Sequence, residues 1–266
     1  MKRNKALIFP ASRAGILGCG MLLVALCGCN HGGSTDTVTE AAKAHAQWRS
    51  TLNDSVAKYD ALQASLLQQT DSLSVDLARL ADSFDAVTDP RLVEKYRVAR
   101  GWKNYDSTSG TGVLARLLED NSVEIVATAS GCSFDAIRFE SAGLSAETKP
   151  VPADGELNQT IGKTGRVAFN GDDALRLARF VRDNAAGVVM IRYIGAGRVV
   201  DKRELTTGQK EMIALTAELH DTQQAVDSLN REYTKAFNKY QLYKQEVEQD
   251  RAAKTSGKAA DKSAAK

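Results

Sequence analysis

Nucleophilic, acid–base or metal chemistry in this 266-residue chain would have to draw on four cysteines and three histidines. Only one cysteine, Cys132, lies far from the N-terminus, in Gly131-Cys132-Ser133. A thiol becomes a useful nucleophile beside an activating base, yet His31, His45 and His220 all fall outside the β-patterned region around Cys132. One cysteine without a histidine also falls short of a zinc site. Cys132 therefore reads as a small buried hydrophobe, and the sequence predicts a non-enzyme with no catalytic residue, metal or cofactor.

Two glycine motifs invite phosphate chemistry and fail on spacing. Gly162-Lys163-Thr164 has the closing residues of a phosphate-binding loop, but the glycine required five positions before Gly162 is Leu157, and a strand pattern follows where a helix is needed. Gly195-Ala196-Gly197 is better explained by a tight turn. Arg176, Arg179 and Arg182 repeat every three residues and share one helical face, so they can grip a carboxylate or phosphate. Against that, Asp172 precedes Arg176 by four and Asp183 follows Arg179 by four, the spacing of ordinary helix ion pairs. A solvated face is expected, with anion binding as the alternative.

The remaining cysteines, Cys19, Cys27 and Cys29, sit in an apolar run that follows Lys2, Arg3, Lys5 and Arg13. A basic start and an apolar stretch of about fifteen residues form a secretory signal, too short for the ~20 residues of a membrane span. Leu26-Cys27-Gly28-Cys29 resembles the bacterial lipoprotein signal box, a branched apolar residue and a small residue ahead of the lipid-accepting cysteine. The resemblance covers about thirty residues. It implies cleavage after residue 28, acyl chains including palmitate on Cys29, and a lipid bilayer as partner. Asn30 is not the aspartate that retains such proteins at the inner membrane, so the outer membrane, facing the periplasm, is expected. Residues 29–37 read as a flexible tether. With three cysteines in the signal region, no disulfide framework is expected.

Removing the signal takes four cations and no acid, turning the formal +2 into 31 basic against 33 acidic residues, a balance of −2. Basic residues interleaved with aromatics are missing, which argues against nucleic acid. The local excess lies in residues 251–266, where Arg251, Lys254, Lys258, Lys262 and Lys266 face only Asp261. This segment reads as a disordered basic tail. Each lysine contributes ~1 kcal/mol near an anionic surface, so the tail is either an envelope-binding segment or a solubilising end.

Two heptad arrays must position whatever lies between them. The first runs Leu52, Val56, Tyr59, Gln63, Leu66, Thr70, Leu73, Leu77, Leu80, Phe84 and Val87. The second runs Met212, Leu215, Leu219, Thr222, Val226, Leu229, Tyr233, Ala236, Tyr240, Tyr243 and Val247. Both hold the 3.5-residue period of a coiled-coil seam. Their equal length predicts an antiparallel hairpin in which residue i meets a partner near 299 − i, so that Leu66 meets Tyr233 and Val87 meets Met212. A parallel homo-oligomer is the alternative, since periodicity does not name the partner. Thr37-Val38-Thr39-Glu40 and Thr206-Thr207-Gly208-Gln209 are candidate capping boxes. Asp89-Pro90 is expected to stop the first array and start a short helix to Gly101.

Residues 102–205 change character. Strands are expected over 123–128, 134–139, 165–169 and 188–194, the last reaching 198–200 through a glycine-bearing turn. One helix is expected from Asp172 to Asn184. The sequence thus predicts an α+β protein, a long antiparallel two-helix coiled-coil hairpin with an inserted β-rich head containing one helix. Its segments are a signal at 1–28, a tether at 29–37, a first stalk region at 38–101, the head at 102–205, a second stalk helix at 206–250 and the tail at 251–266. The functional expectation is a non-enzymatic spacer presenting the head to an envelope protein or to peptidoglycan. The alternative is a binding module for a glycan, peptide or peptidoglycan fragment, with Trp102, Tyr105 and Tyr193 as the available aromatic rings.

Overall fold

The computed structural model describes residues 34–89, 94–105, 110–153 and 156–264. The chain divides into two compact units, Met1–Trp48 and Arg49–Lys266. In the first, helix α1 (Ser34–Ala81) begins, His45 and Trp48 bring their rings within 5.5 Å, and Trp48 is exposed. The signal at 1–28 and Cys29 lie outside the described residues. Of the expected tether, residues 34–37 are helical, so Thr37 stands inside α1 and is not its cap.

The second unit continues α1 and then alternates short strands with two further helices. The order is β1 (Phe84–Asp89), β2 (Glu94–Ala99), β3 (Gly112–Leu118), β4 (Val123–Ser130), β5 (Ala136–Ser141), β6 (Leu144–Glu147), β7 (Asn158–Ile161), β8 (Thr164–Asn170), α2 (Gly171–Asp183), β9 (Met190–Gly195), β10 (Arg198–Glu204) and α3 (Thr207–Ala264). Six strands form one antiparallel sheet, β1-β2-β3-β4-β8-β7, and four form another, β10-β9-β5-β6. The chain is α+β, with three helices and two antiparallel sheets among the described residues.

The head begins earlier than the heptads indicate. Phe84 and Val87 belong to β1, where they pair with Ala99 and Tyr96. Two residues three apart are too short a run to separate a last heptad step from the start of a strand. The helix stops two residues before. Ser83 N donates to Leu80 O at 2.9 Å, Arg100 N donates to Ser83 O at 2.7 Å, and the Arg100 guanidinium donates to Asp82 O, so the returning strand satisfies carbonyls at the helix end. The expected helix from Pro90 to Gly101 is replaced by β2.

β4 is central and buried from Val123 to Ala129, which explains its mostly apolar run. Its neighbour β3 escapes notice in the sequence because Arg116 interrupts it. That arginine is buried, donating through Nε to Glu124 Oε2 at 2.5 Å and stacking 4.3 Å over Tyr96. Directly opposite partners let a charged pair enter a core, because each desolvated ion is met by the other.

Helix α3 opens on the expected capping box. Gln209 N donates to Thr206 Oγ1 at 3.2 Å, and Thr206 N donates to Gln209 Oε1 at 3.0 Å. Its first turns do not form a stalk seam. Met212, Ile213, Ala217 and Leu219 join the head core, and Ala115 N lies 2.9 Å from Met212 Sδ. β2 pairs with β3 only at Tyr96–Leu118 and Arg97–Leu117, so the rest of that β3 edge is open to α3. The pairing of Val87 with Met212 is therefore overturned. At its other end α3 runs to Ala264, through most of the segment expected to be disordered, because Ala- and Lys-rich sequence propagates a helix already nucleated.

Within Arg49–Lys266, α1 and α3 meet at identifiable points. Tyr59 stacks on Tyr243 with ring centroids 5.7 Å apart, the Lys239 ammonium lies 5.4 Å from the Tyr59 centroid, and Arg49 pairs with Asp250 at 3.5 Å. The heptad register sets Tyr59 against Tyr240, so the observed stacking is shifted by one seam step. Leu52, Leu66 and Leu80 are buried on α1, as are Val226, Ala236 and Val247 on α3.

Candidate functional site

The three motifs that fail individually in the sequence converge at one end of the sheets. Gly131-Cys132-Ser133 is the crossover from β4 to β5, Gly162-Lys163-Thr164 turns β7 into β8, and Gly195-Ala196-Gly197 turns β9 into β10. Gly131 N donates to Lys163 O at 2.8 Å. Two glycines allow the backbones to close. A Cβ on Gly165 would stand 2.8 Å from Cys132 O, and one on Gly195 would stand 2.5 Å from Ser133 O. Glycine is required there by proximity.

The crossover is fixed from several sides. Phe134 is buried and meets Tyr193 edge-to-face at 5.0 Å, and the Tyr193 hydroxyl donates to Gly112 O at 3.1 Å. Asp135 N donates to Ile194 O at 2.8 Å, and Val151 N donates to Asp135 O at 2.7 Å. Asn158 Nδ2 then donates to Val151 O at 2.8 Å and to Phe134 O at 3.4 Å. A loop held by this many bonds keeps its shape without a ligand, which is the preorganisation a binding site needs.

Above this floor lies a cleft of about 470 Å³, walled by Phe134, Pro150, Val151, Pro152 and Val200, with Ser133, Asp135, Asn158 and Thr160 as polar members. A neighbouring hollow of about 360 Å³ shares Ser133, Thr160 and Gly165 and adds Cys132 and Lys163. Mostly apolar walls with a few placed polar groups characterise small-ligand sites. Cys132 is half-buried rather than enclosed in the core. Burial still pushes its thiol up from the ordinary value, Asp201 adds to this and Arg203 opposes it. A raised thiol favours the protonated, less nucleophilic form, and the described residues contain no group of three His, Cys, Asp or Glu able to hold a metal.

Arg176 and Arg179 are exposed on α2, and their bonds go to partners other than the acids four residues away. Arg176 bonds Asp173 at 2.8 Å and Glu147 O at 2.6 Å. Arg179 and Arg182 turn to α3 and clamp Asp221, with Arg179 Nη2 to Oδ1 at 2.6 Å and Arg182 Nη1 to Oδ2 at 2.7 Å. His220 Nδ1 stands 3.3 Å from the same carboxylate. Arg182 Nε also reaches Asp183 at 3.1 Å. The anion held by two of these arginines belongs to the protein itself, and no local pattern announces it because Asp221 is 39 residues beyond Arg182. Partial burial would raise the Asp221 carboxyl, but the bonds from Arg179, Arg182 and His220 outweigh it and hold the group well below the usual carboxylate range.

In the tail, Lys254 is exposed and lies 3.6 Å from Asp250. Lys258 and Lys262 fall within α3, and Lys266 lies outside the described residues. Tyr193 is buried, while Trp102 and Tyr105 pack on each other at 5.5 Å and against the core. No helix among the described residues is long and apolar enough to cross a membrane. No protein-family model, curated protein or solved structure matches the chain.

Proposed function

We propose that this chain is a lipid-anchored envelope protein with a non-enzymatic role, in which α1 and α3 pair antiparallel as a two-stranded coiled coil within one molecule and space the β-rich head from the outer membrane. The stacking of Tyr59 on Tyr243 carries the reading, since it brings the two heptad arrays together in opposite directions with Arg49–Asp250 one turn or more beyond. Burial supports it. From Leu52 to Leu80 all nine array positions are buried or half-buried, and of the other residues in that span only Ser55 is. From Leu229 to Val247 on α3 every array position is likewise covered. Solvent faces opposite these stripes are mostly polar, as a two-stranded seam requires.

The anchor is Cys29, by its likeness to the lipoprotein box, and Asn30 at the next position favours the periplasmic face of the outer membrane. Membrane fractionation of cells expressing the wild type and Cys29→Ser tests this part. The wild type is expected in the membrane pellet with palmitate incorporated, and the variant in the soluble fraction. Unchanged partitioning of Cys29→Ser, without loss of label, would overturn the anchor.

A further inference from the structure

The cleft at the end of the sheets carries two charges that no group among the described residues uses. Asp135 is half-buried in its wall, yet its carboxylate has no hydrogen-bond or ion-pair partner among the described residues, although its backbone N–H and carbonyl are both engaged. Asp201, by contrast, is paired with Arg203 at 3.1 Å. Lys163 lines the adjoining hollow with its ammonium likewise unpaired among the described residues, only its backbone carbonyl being bonded. The two hollows share three residues, Ser133, Thr160 and Gly165, and so form one continuous surface with an acid in one part, a base in the other and apolar walls beside the acid.

We propose that this cleft binds a short peptide that bears a free amine and a free carboxylate. The amine would meet Asp135, the carboxylate would meet Lys163, and small apolar side chains would lie against Pro150, Val151 and Val200. Strand β7 supports a peptide as the occupant. It is the terminal strand of the six-stranded sheet, and its Asn158 and Thr160, two residues apart and so on one face, both line the cleft. Ser133 and Thr160, common to both hollows, carry hydroxyls that can donate to or accept from a peptide main chain. A sugar ligand lacks an aromatic platform in this cleft, since the one ring in its wall, Phe134, is buried. The inference deepens the proposed role, naming what the head recognises, but the site stands or falls independently of the lipid anchor.

The test uses the purified full chain in detergent and the tripeptide Lys-Ala-Ala, followed by isothermal titration. Three further arms are Lys-Ala-Ala acetylated at both amines, its C-terminal amide, and a chitin tetrasaccharide. Binding of the free tripeptide is expected, weakened about tenfold or more by acetylation and by amidation. Asp135→Asn should remove the discrimination against the acetylated peptide, and Lys163→Gln the discrimination against the amide. Neither side chain makes a bond to the described residues, so both variants should melt within a degree or two of the wild type. Equal binding of all three peptides, no binding at millimolar concentration, or saccharide binding indifferent to both substitutions would overturn the proposal. Because the measurement is made in detergent, its failure leaves the Cys29→Ser result untouched, and the converse also holds.

Discussion

Replacing Asp221 with alanine should loosen the joint between α2 and α3. The carboxylate receives the Arg179 guanidinium through Nη2 at 2.6 Å and Nε at 3.1 Å, and Arg182 Nη1 at 2.7 Å. Hydrogen bonds to charged groups contribute about 1.5–3 kcal/mol each when shielded. Here the side chains retain 27%, 46% and 34% of their accessibility for Asp221, Arg179 and Arg182, so solvent screening reduces the total substantially. We expect Asp221→Ala to cost about 2 kcal/mol, partly because two guanidinium groups then face each other without an anion. For a chain of this size that corresponds to a melting point lowered by about 4–8 °C. The pH dependence has a definite sign. The folded-state pKa of Asp221 lies below its unfolded value, so its contribution is complete above about pH 4–5 and is lost as the carboxylate is protonated on acidification. Urea unfolding of wild type and variant between about pH 3 and pH 8, followed by circular dichroism, should give a constant difference above about pH 5 that shrinks below about pH 4. A difference under about 0.5 kcal/mol at neutral pH, or one that grows on acidification, would refute the clamp. A cycle with Arg179→Ala should show coupling above about 0.5 kcal/mol, since the two groups are in contact.

Two other consequences are accessible. Gly195→Ala places a methyl 2.5 Å from the Ser133 carbonyl and 3.3 Å from Val200, so the crossover must shift; a loss of about 1–3 kcal/mol in urea unfolding is expected, and a neutral result would contradict the close approach. The Cys132 thiol, raised by burial and Asp201, should react with iodoacetamide at neutral pH several-fold more slowly than free cysteine, measured by mass spectrometry; a faster rate would mean that an activating group stands beside it.

The sequence was most legible where one physical signal acted alone. Apolar, β-branched runs announced β4 and β9, the turn at Gly195-Ala196-Gly197 announced the β9–β10 hairpin, and Thr206 with Gln209 announced the start of α3. It was misleading where the heptad spacing runs on beyond the stretch that pairs as a stalk. Phe84 and Val87 extend the heptads by spacing while belonging to β1, and Met212 and Leu219 keep the heptads while serving the head core. Strand β7, Asn-Gln-Thr-Ile, has no apolar alternation because it is a half-exposed edge held by backbone bonds to β8. The cleft was out of reach for a different reason. Its parts, Asp135, Val151, Lys163 and Gly195, are modest separately, and only the crossing of β4 to β5 between two strand ends brings them together. Asp221 is hidden in the same way, a lone acid on a charged helix until α2 is laid beside it.

In the proposed architecture the two heptad stripes face each other, running in opposite directions, inside a single chain. The double variant Tyr59→Cys, Tyr243→Cys, treated with a short bis-maleimide in an equal mixture of isotopically light and heavy protein, tests it most directly. Pairing within one chain should give crosslinked peptides joining positions 59 and 243 that are all light or all heavy by mass spectrometry. Mixed light–heavy peptides at statistical frequency, or no crosslink in the folded protein, would contradict it.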